Sequence, residues 1–253
     1  MYETCIFDLY GTLVDIRTDE TKAEVWEKMA WFYAYYGAGY TPSQLQLEYE
    51  RLTKQFAAGK EGIRKDSHEA FPEIQIEKVF EALFTGRGVL PDEALVHHAG
   101  QFFRILSTEH LRLYEGTKEM LSALRENSRK IYLLSNAQKI FTVYEMNALQ
   151  ISSFFDGIFI SSEHGCKKPD LSFFNKLIHT FQIRTETAVM VGNDGVCDIE
   201  GAKRAGLSTL YVHTEISPKE DPPKADHVLD HMDMRRITNI LLSKNSDDRR
   251  NFK

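Results

Sequence analysis

The sequence has few cysteines. Three thiols, Cys5, Cys166 and Cys197, stand in 253 residues, and none has the close spacing of a zinc site or of a disulfide framework. No apolar run is long enough to span a bilayer, and the N-terminus carries no signal-peptide pattern. A basic tract is also missing. The 31 Lys and Arg are outnumbered by 37 Asp and Glu, for a formal charge of −6, and basic pairs such as Lys167-Lys168 and Arg235-Arg236 stand alone. No long basic face is left for nucleic acid. Internal repeats and low-complexity tracts are absent too. These absences set the expectation of a cytoplasmic protein in a reducing compartment, with neither membrane nor nucleic acid as partner.

What is present is ordinary globular composition, 42% apolar and 27% charged, in a chain long enough for one large domain or for a core with an insertion. Short apolar runs end at polar residues: TCIFDL near residue 6, KIYLLSN at 130–136, FDGIFIS at 155–161, TAVMVGND at 187–194 and STLYV at 208–212, with a weaker ADHVL at 225–229. Between them, residues 116–127, 137–149, 171–181 and 199–205 place apolar side chains at helical spacing. Strands alternating with helices predict an α/β fold, a Rossmann-like parallel sheet with helices on both faces. Ligands of such sheets gather at the carboxyl ends of the strands, where the polar residues fall.

The segment 16–110 reads differently. An aromatic-rich stretch is helical to about Tyr36, Thr41-Pro42-Ser43 opens a helix spanning 44–58, and further helices are predicted at 75–84 and 91–106. This is a small all-helical cap domain inserted after the first strand, leaving 1–15 and 111–253 as the core domain. The aromatics Trp26, Trp31, Phe32, Tyr33, Tyr35, Tyr36 and Tyr40 are read as packing, with a few available to line a pocket.

Four stretches carry chemistry. Asp8, in FDLYGTLVD, ends the first apolar run before a Gly-Thr turn; a carboxylate there can act as nucleophile. Ser135-Asn136 ends the run IYLLSN, suited either to an anionic oxygen or to a helix N-cap. Lys168, in CKKPD, can reach developing negative charge or be a solvated surface lysine. In VMVGNDGVCDIEGAKRAG, the acids Asp194 and Asp198 can hold a divalent cation with waters.

Taken together and in this order, the four stretches resemble the motifs of haloacid-dehalogenase-superfamily hydrolases, over residues 2–14 and about 113–242. The resemblance implies Asp8 as nucleophile, Ser135 with the following amide as holder of the phosphoryl or carboxylate group, and Lys168 as the active-site lysine. It implies Mg²⁺ as cofactor, with Asp8, the Tyr10 main-chain carbonyl and the fourth motif as ligands. Asp194 is favoured as the metal-facing acid, Asn193 as support or alternative ligand and Asp198 behind it, the register between Asn193 and Asp194 remaining open. Thr12 supports the turn and, with Ser135, Asn136 and Lys168, forms the substrate-binding set.

Tyr10 departs from the superfamily's phosphatases, which carry an acid there to protonate the leaving group. A phenol with a pKa near ~10 is a poor substitute, and general acid help is worth about 10²–10⁴ in rate. The family's dehalogenases do carry Tyr at this position, since a halide leaves without a proton. They also carry a cap Arg, absent between Arg17 and Arg51, and a Tyr where this chain has Phe174. The expectation is a Mg²⁺-dependent phosphatase acting on a small phosphorylated metabolite with a good leaving group, as monomer or homodimer. The alternatives are a metal-independent 2-haloacid dehalogenase and a phosphate-ligand-binding protein with little turnover.

Overall fold

A computed structural model describes residues 1–57, 73–219 and 224–243. It divides into two compact units: residues 1–15, 112–136 and 149–253 form the first, and 16–111 with 137–148 the second. The second therefore takes in the segment 137–148, which the sequence reading assigned to the core.

The strands are β1 (Thr4–Phe7), β2 (Val14–Thr18), β3 (Thr108–Leu113), β4 (Lys130–Ser135), β5 (Gly157–Ile160), β6 (Ala188–Gly192), β7 (Ser208–Val212) and β8 (His227–Leu229). Six of them make one sheet in the order β5-β4-β1-β6-β7-β8, every pair parallel. β2 and β3 form a separate two-stranded sheet. The main sheet is built outward from β1. Phe7 lies opposite Leu133 of β4 on one side and Val191 of β6 on the other. From there the chain adds β5 in one direction, then β7 and β8 in the other, so the strand order reverses at β1. A crevice opens at such a reversal, beyond the carboxyl ends of the strands.

The helices of the first unit are α5 (Thr117–Glu126), α7 (Ser161–His164), α8 (Leu171–Phe181), α9 (Gly201–Arg204) and α10 (Met234–Leu242). Alternation along each strand sends successive side chains to opposite faces. Ile6, Leu134 and Met190 meet Phe173, Phe174 and Leu177 of α8 and Ala202 of α9 in one buried cluster. Their neighbours Phe7, Leu133 and Val191 are fully buried on the other face, where α5 packs on β4 and α10 on α5. The run SFFNKLI forms α8 because its apolar residues recur every three to four positions, and Asp170 caps it by accepting from the Ser172 N–H at 2.8 Å.

The second unit holds α1 (Ala23–Tyr35), α2 (Pro42–Ala57), α3 (Ile76–Thr85), α4 (Glu93–Ser107) and α6 (Lys139–Ala148). Pro42 opens α2, as proline does where an N–H has no partner anyway; residue 58, the expected end of this helix, lies outside the described residues. The core of the unit is aromatic: Trp26, Tyr33, Phe80, Phe84, Phe103 and Phe141 are buried together. Trp31 and Tyr35 are exceptions to the packing expectation, being 72% and 86% exposed on α1. The Gln138 side chain caps the start of α3, accepting from the Ile76 N–H at 3.0 Å while donating to the Ile74 carbonyl and the Glu73 carboxylate.

Candidate active site

The reversal of the main sheet places three sequence-distant groups together. Asp8 follows the last residue of β1 and is 7% exposed; Lys168 and Asp198 are each 1% exposed. The Lys168 ammonium donates to Asp8 Oδ1 and to Asp198 Oδ1, both at 2.7 Å. Charges buried this deeply persist only when paired. Burial alone would lower the Lys168 pKa, but the two carboxylates outweigh it and hold the ammonium more firmly charged than an ordinary lysine. Asp198 is pushed upward by burial, with Asp8 and Asp194 adding to the rise and Lys168 opposing it. Two acids thus share one base.

The turn after β1 shapes the rest. Gly11, with φ of +84°, lets the chain double back so that its N–H donates to the Val14 carbonyl at 2.8 Å. A Cβ at Gly11 would sit 2.4 Å from Asn193 Nδ2, so glycine is also what lets Asn193 approach. The Thr12 hydroxyl, fully buried, lies 3.3 Å from Asp8 Oδ2 and 3.3 Å from Asn193 Oδ1. One hydroxyl has one proton, so it serves these two oxygens in turn. Half-buried Tyr10 is on the same turn, with its backbone bridged to Val14.

The fourth stretch follows directly on β6. β6 ends at Gly192, where any Cβ would collide with the Asp198 carboxylate at 2.2 Å. Asn193 is the next residue and is 5% exposed; its Nδ2 donates toward Thr214 Oγ1 at 3.3 Å and Ser217 Oγ at 3.5 Å. Asp194, expected to be the metal-facing acid, instead caps the following turn, its Oδ1 accepting from the Val196 and Cys197 N–H groups at 2.9 and 2.8 Å. The turn, residues 195–200, is π-helical and wide, with Ile199 N–H reaching back five residues to the Asp194 carbonyl. Width is what brings Asp198 under Gly192 and onto Lys168. The residue joined through Thr12 to Asp8 is therefore Asn193.

Ser135 ends β4, level with Ile160 of β5, and is 1% exposed. Among the described residues its hydroxyl has no hydrogen-bond partner. Asn136, expected among the substrate-binding residues, turns its amide to the main chain of Lys168: Oδ1 accepts from the Lys168 N–H at 2.8 Å and Nδ2 donates to the Lys168 carbonyl at 2.9 Å. Thr214 and Ser217 were not anticipated from the sequence. Each is an isolated hydroxyl in a loop, with no spacing to mark it. Three histidines have partners of their own: His164 stacks on Phe159 with centroids 3.9 Å apart, His213 bonds Tyr211, and His227 bonds Tyr2.

A model of haloacid dehalogenase-like hydrolases matches residues 2–206. The chain belongs to this hydrolase family. Among curated relatives, a glyceraldehyde 3-phosphate phosphatase of Pyrococcus furiosus is 27% identical over 146 residues, 55% of this chain and 59% of the relative. The matched stretch thus spans under two thirds of that relative's length. Among solved structures, a 2-haloacid dehalogenase from Pseudomonas syringae pv. Tomato superposes with a TM-score of 0.62 at 19% identity, over 95% of this chain and 98% of that one. The HAD-hydrolase YfnB of Bacillus subtilis, described as bound to magnesium, gives 0.54 at 21% identity, over 95% and 98%. At these identities the structural likeness bears on the fold. Among the described residues no helix is long and apolar enough to cross a membrane.

Proposed function

We propose that this family member is a phosphohydrolase for a small phosphorylated metabolite, with Asp8 as nucleophile. The observation that carries the reading is the Asp8–Lys168–Asp198 cluster, with the unpartnered hydroxyl of Ser135 at the end of β4, the strand paired with β1. In this reading Asp8 attacks phosphorus and forms the aspartyl phosphate as the bond to the leaving oxygen breaks. Water then attacks the same phosphorus, releasing phosphate and restoring the carboxylate. The Thr12 hydroxyl holds Asp8 in one rotamer, the Lys168 ammonium balances charge, and the Ser135 hydroxyl donates to a phosphoryl oxygen. An unpartnered buried hydroxyl costs about 1–3 kcal/mol, which an anionic ligand would offset. The phosphatase name of the Pyrococcus furiosus relative supports the substrate class.

The donor set suits a Mg²⁺ ion that keeps most of its waters. Asp8 Oδ2 and Asn193 Oδ1 each lie 3.3 Å from the Thr12 hydroxyl, so the two oxygens are near neighbours. They are one carboxylate and one neutral amide, and among the described residues no three His, Cys, Asp or Glu gather at a common point. Such a set fits a cation carried largely by water and substrate oxygens. Asp8, Asn193 and the Tyr10 main-chain carbonyl would hold it, and when bound it would offset the charge of the phosphoryl oxygens. Because Tyr10 supplies no carboxylic acid, leaving groups that depart without a proton are favoured, as in acyl and aryl phosphates.

A second reading, dehalogenation of a 2-haloacid, is favoured by one observation. Tyr10 stands where a phosphatase of this family carries an acid, and the residue joined through Thr12 to Asp8 is the neutral Asn193. Phosphate release from p-nitrophenyl phosphate and acetyl phosphate, with Mg²⁺ or with EDTA, beside chloride release from 2-chloropropionate, separates the two. Mg²⁺-dependent phosphate release that disappears in Asp8→Asn is expected. Chloride release indifferent to EDTA would overturn the phosphatase reading.

A further inference from the structure

We infer that Asn136 is a positioning residue whose side-chain amide grips the main chain of Lys168 and so sets where the ammonium stands between Asp8 and Asp198. This role rests on the reading of Lys168 as part of the reaction centre. Lysine has a flexible four-carbon stem, and the loop 165–170 that carries it is neither strand nor helix. The place of its ammonium therefore depends on where its backbone is held.

Asn136 holds that backbone at both polar groups. Its Oδ1 accepts from the Lys168 N–H at 2.8 Å, and its Nδ2 donates to the Lys168 carbonyl at 2.9 Å. The same Nδ2 lies 3.8 Å from Cys197 Sγ, one residue before Asp198. One amide thus spans the backbone that presents the ammonium and the side chain beside its second acid. The orientation of the amide is dictated. Rotating it by half a turn would set N–H against N–H and carbonyl against carbonyl.

Asn136 is itself fixed, since it follows Ser135, the last residue of β4, in a strand paired on both sides. A rigid strand end therefore carries the position of the lysine. The geometry also separates two roles that adjacent residues share in the sequence. The Ser135 hydroxyl has no partner, whereas the Asn136 amide is engaged with Lys168.

The test uses the full chain with Asn136→Ala, which removes both bonds, and Asn136→Asp, which keeps only the acceptor. Two readouts are needed: exchange of the Lys168 amide hydrogen, and kcat, KM and inhibition by inorganic phosphate with p-nitrophenyl phosphate. In Asn136→Ala the Lys168 amide should exchange faster. Its kcat should fall by about 10²-fold, as a misplaced reactive group does, with KM and the phosphate inhibition constant within about two-fold of wild type. Asn136→Asp should keep Lys168 protected and fall in between.

A raised KM and weakened phosphate inhibition with kcat kept would overturn the proposal and make Asn136 a substrate contact. Unchanged kcat despite faster Lys168 exchange would overturn it as well. A wild type that releases chloride and no phosphate would sink the phosphatase reading alone. The same kcat-against-KM comparison would then be made on 2-chloropropionate, and the exchange readout stands in either case.

Discussion

Each of the two units holds an ion pair largely out of water, and the pairs differ in kind. In the second unit Arg104 Nε meets Glu145 Oε1 at 2.6 Å, joining α4 to α6, with the guanidinium 5.1 Å from the centroid of the Phe141 ring. In the first, one lysine is shared by two carboxylates. A buried ion pair can usually be replaced by apolar side chains without loss of stability. The Arg104–Glu145 pair lies against Phe141, a member of the aromatic core, so apolar side chains there would find apolar neighbours. The Lys168 cluster lies at a strand end, with acid in excess of base. That imbalance is what a core has no use for and a reaction centre does.

The largest effect that would break the comparison comes from Asp8. Asp8→Asn should lower turnover by at least about 10³-fold with the melting temperature nearly kept, read by phosphate release and thermal unfolding. Next is Lys168→Met, which leaves two acids facing each other in a buried place. It should lower turnover by about 10²-fold and cost about 3–5 kcal/mol, read by denaturant unfolding at neutral pH. In the second unit, Glu145→Ala removes the 2.6 Å partner of Arg104 Nε and should cost about 1–3 kcal/mol. The double variant Arg104→Met/Glu145→Leu should recover most of that stability, and neither change should alter kcat.

A smaller effect sharpens the edge of the site. Thr214→Val with Ser217→Ala removes both acceptors of the Asn193 amide. With the amide free to turn, kcat should fall by about 10-fold, and the Mg²⁺ concentration for half-maximal activity should rise.

The smallest concerns pH. Burial raises the Asp156 pKa, but the Ile131 N–H and Lys130 outweigh it and the net shift is downward. Asp156 therefore ionises more readily folded than unfolded. Its stabilisation is complete above the unfolded value near ~3.9 and is lost as pH falls through the lower folded value. Asp156→Asn should accordingly lower the melting temperature at pH 6 and change it little at the acid end of the range.

The strands of the main sheet were legible because each is an apolar run ending at a polar residue, a pattern imposed by burial on both faces. Asp8 and Ser135 stand at those endings, whereas Lys168 was singled out by the CKKPD stretch and its likeness to the family motif. β2 and β3 were not, since VDIRT and TEHLRL mix charge with apolar residues and are only partly buried. α10 was also unread: its apolar residues form a narrow stripe, buried at Met234, Ile237 and Leu241, beside Arg235, Arg236 and Asn239. The choice between Asn193 and Asp194 lay beyond the sequence for a different reason. Two adjacent polar residues point to opposite sides, and which one faces Asp8 depends on the residue at which β6 stops. Gly192 makes that decision, through contact with Asp198 that no local pattern reveals.

The measurement that bears most directly on the reaction centre compares Asp8→Asn with Arg104→Met/Glu145→Leu. Both are assayed on whichever of p-nitrophenyl phosphate and 2-chloropropionate the wild type turns over. The expected result is loss of turnover in the first with its fold retained, and wild-type turnover in the second. Turnover surviving in Asp8→Asn, or lost in a folded double variant, would contradict the assignment of the reaction to the Lys168 cluster.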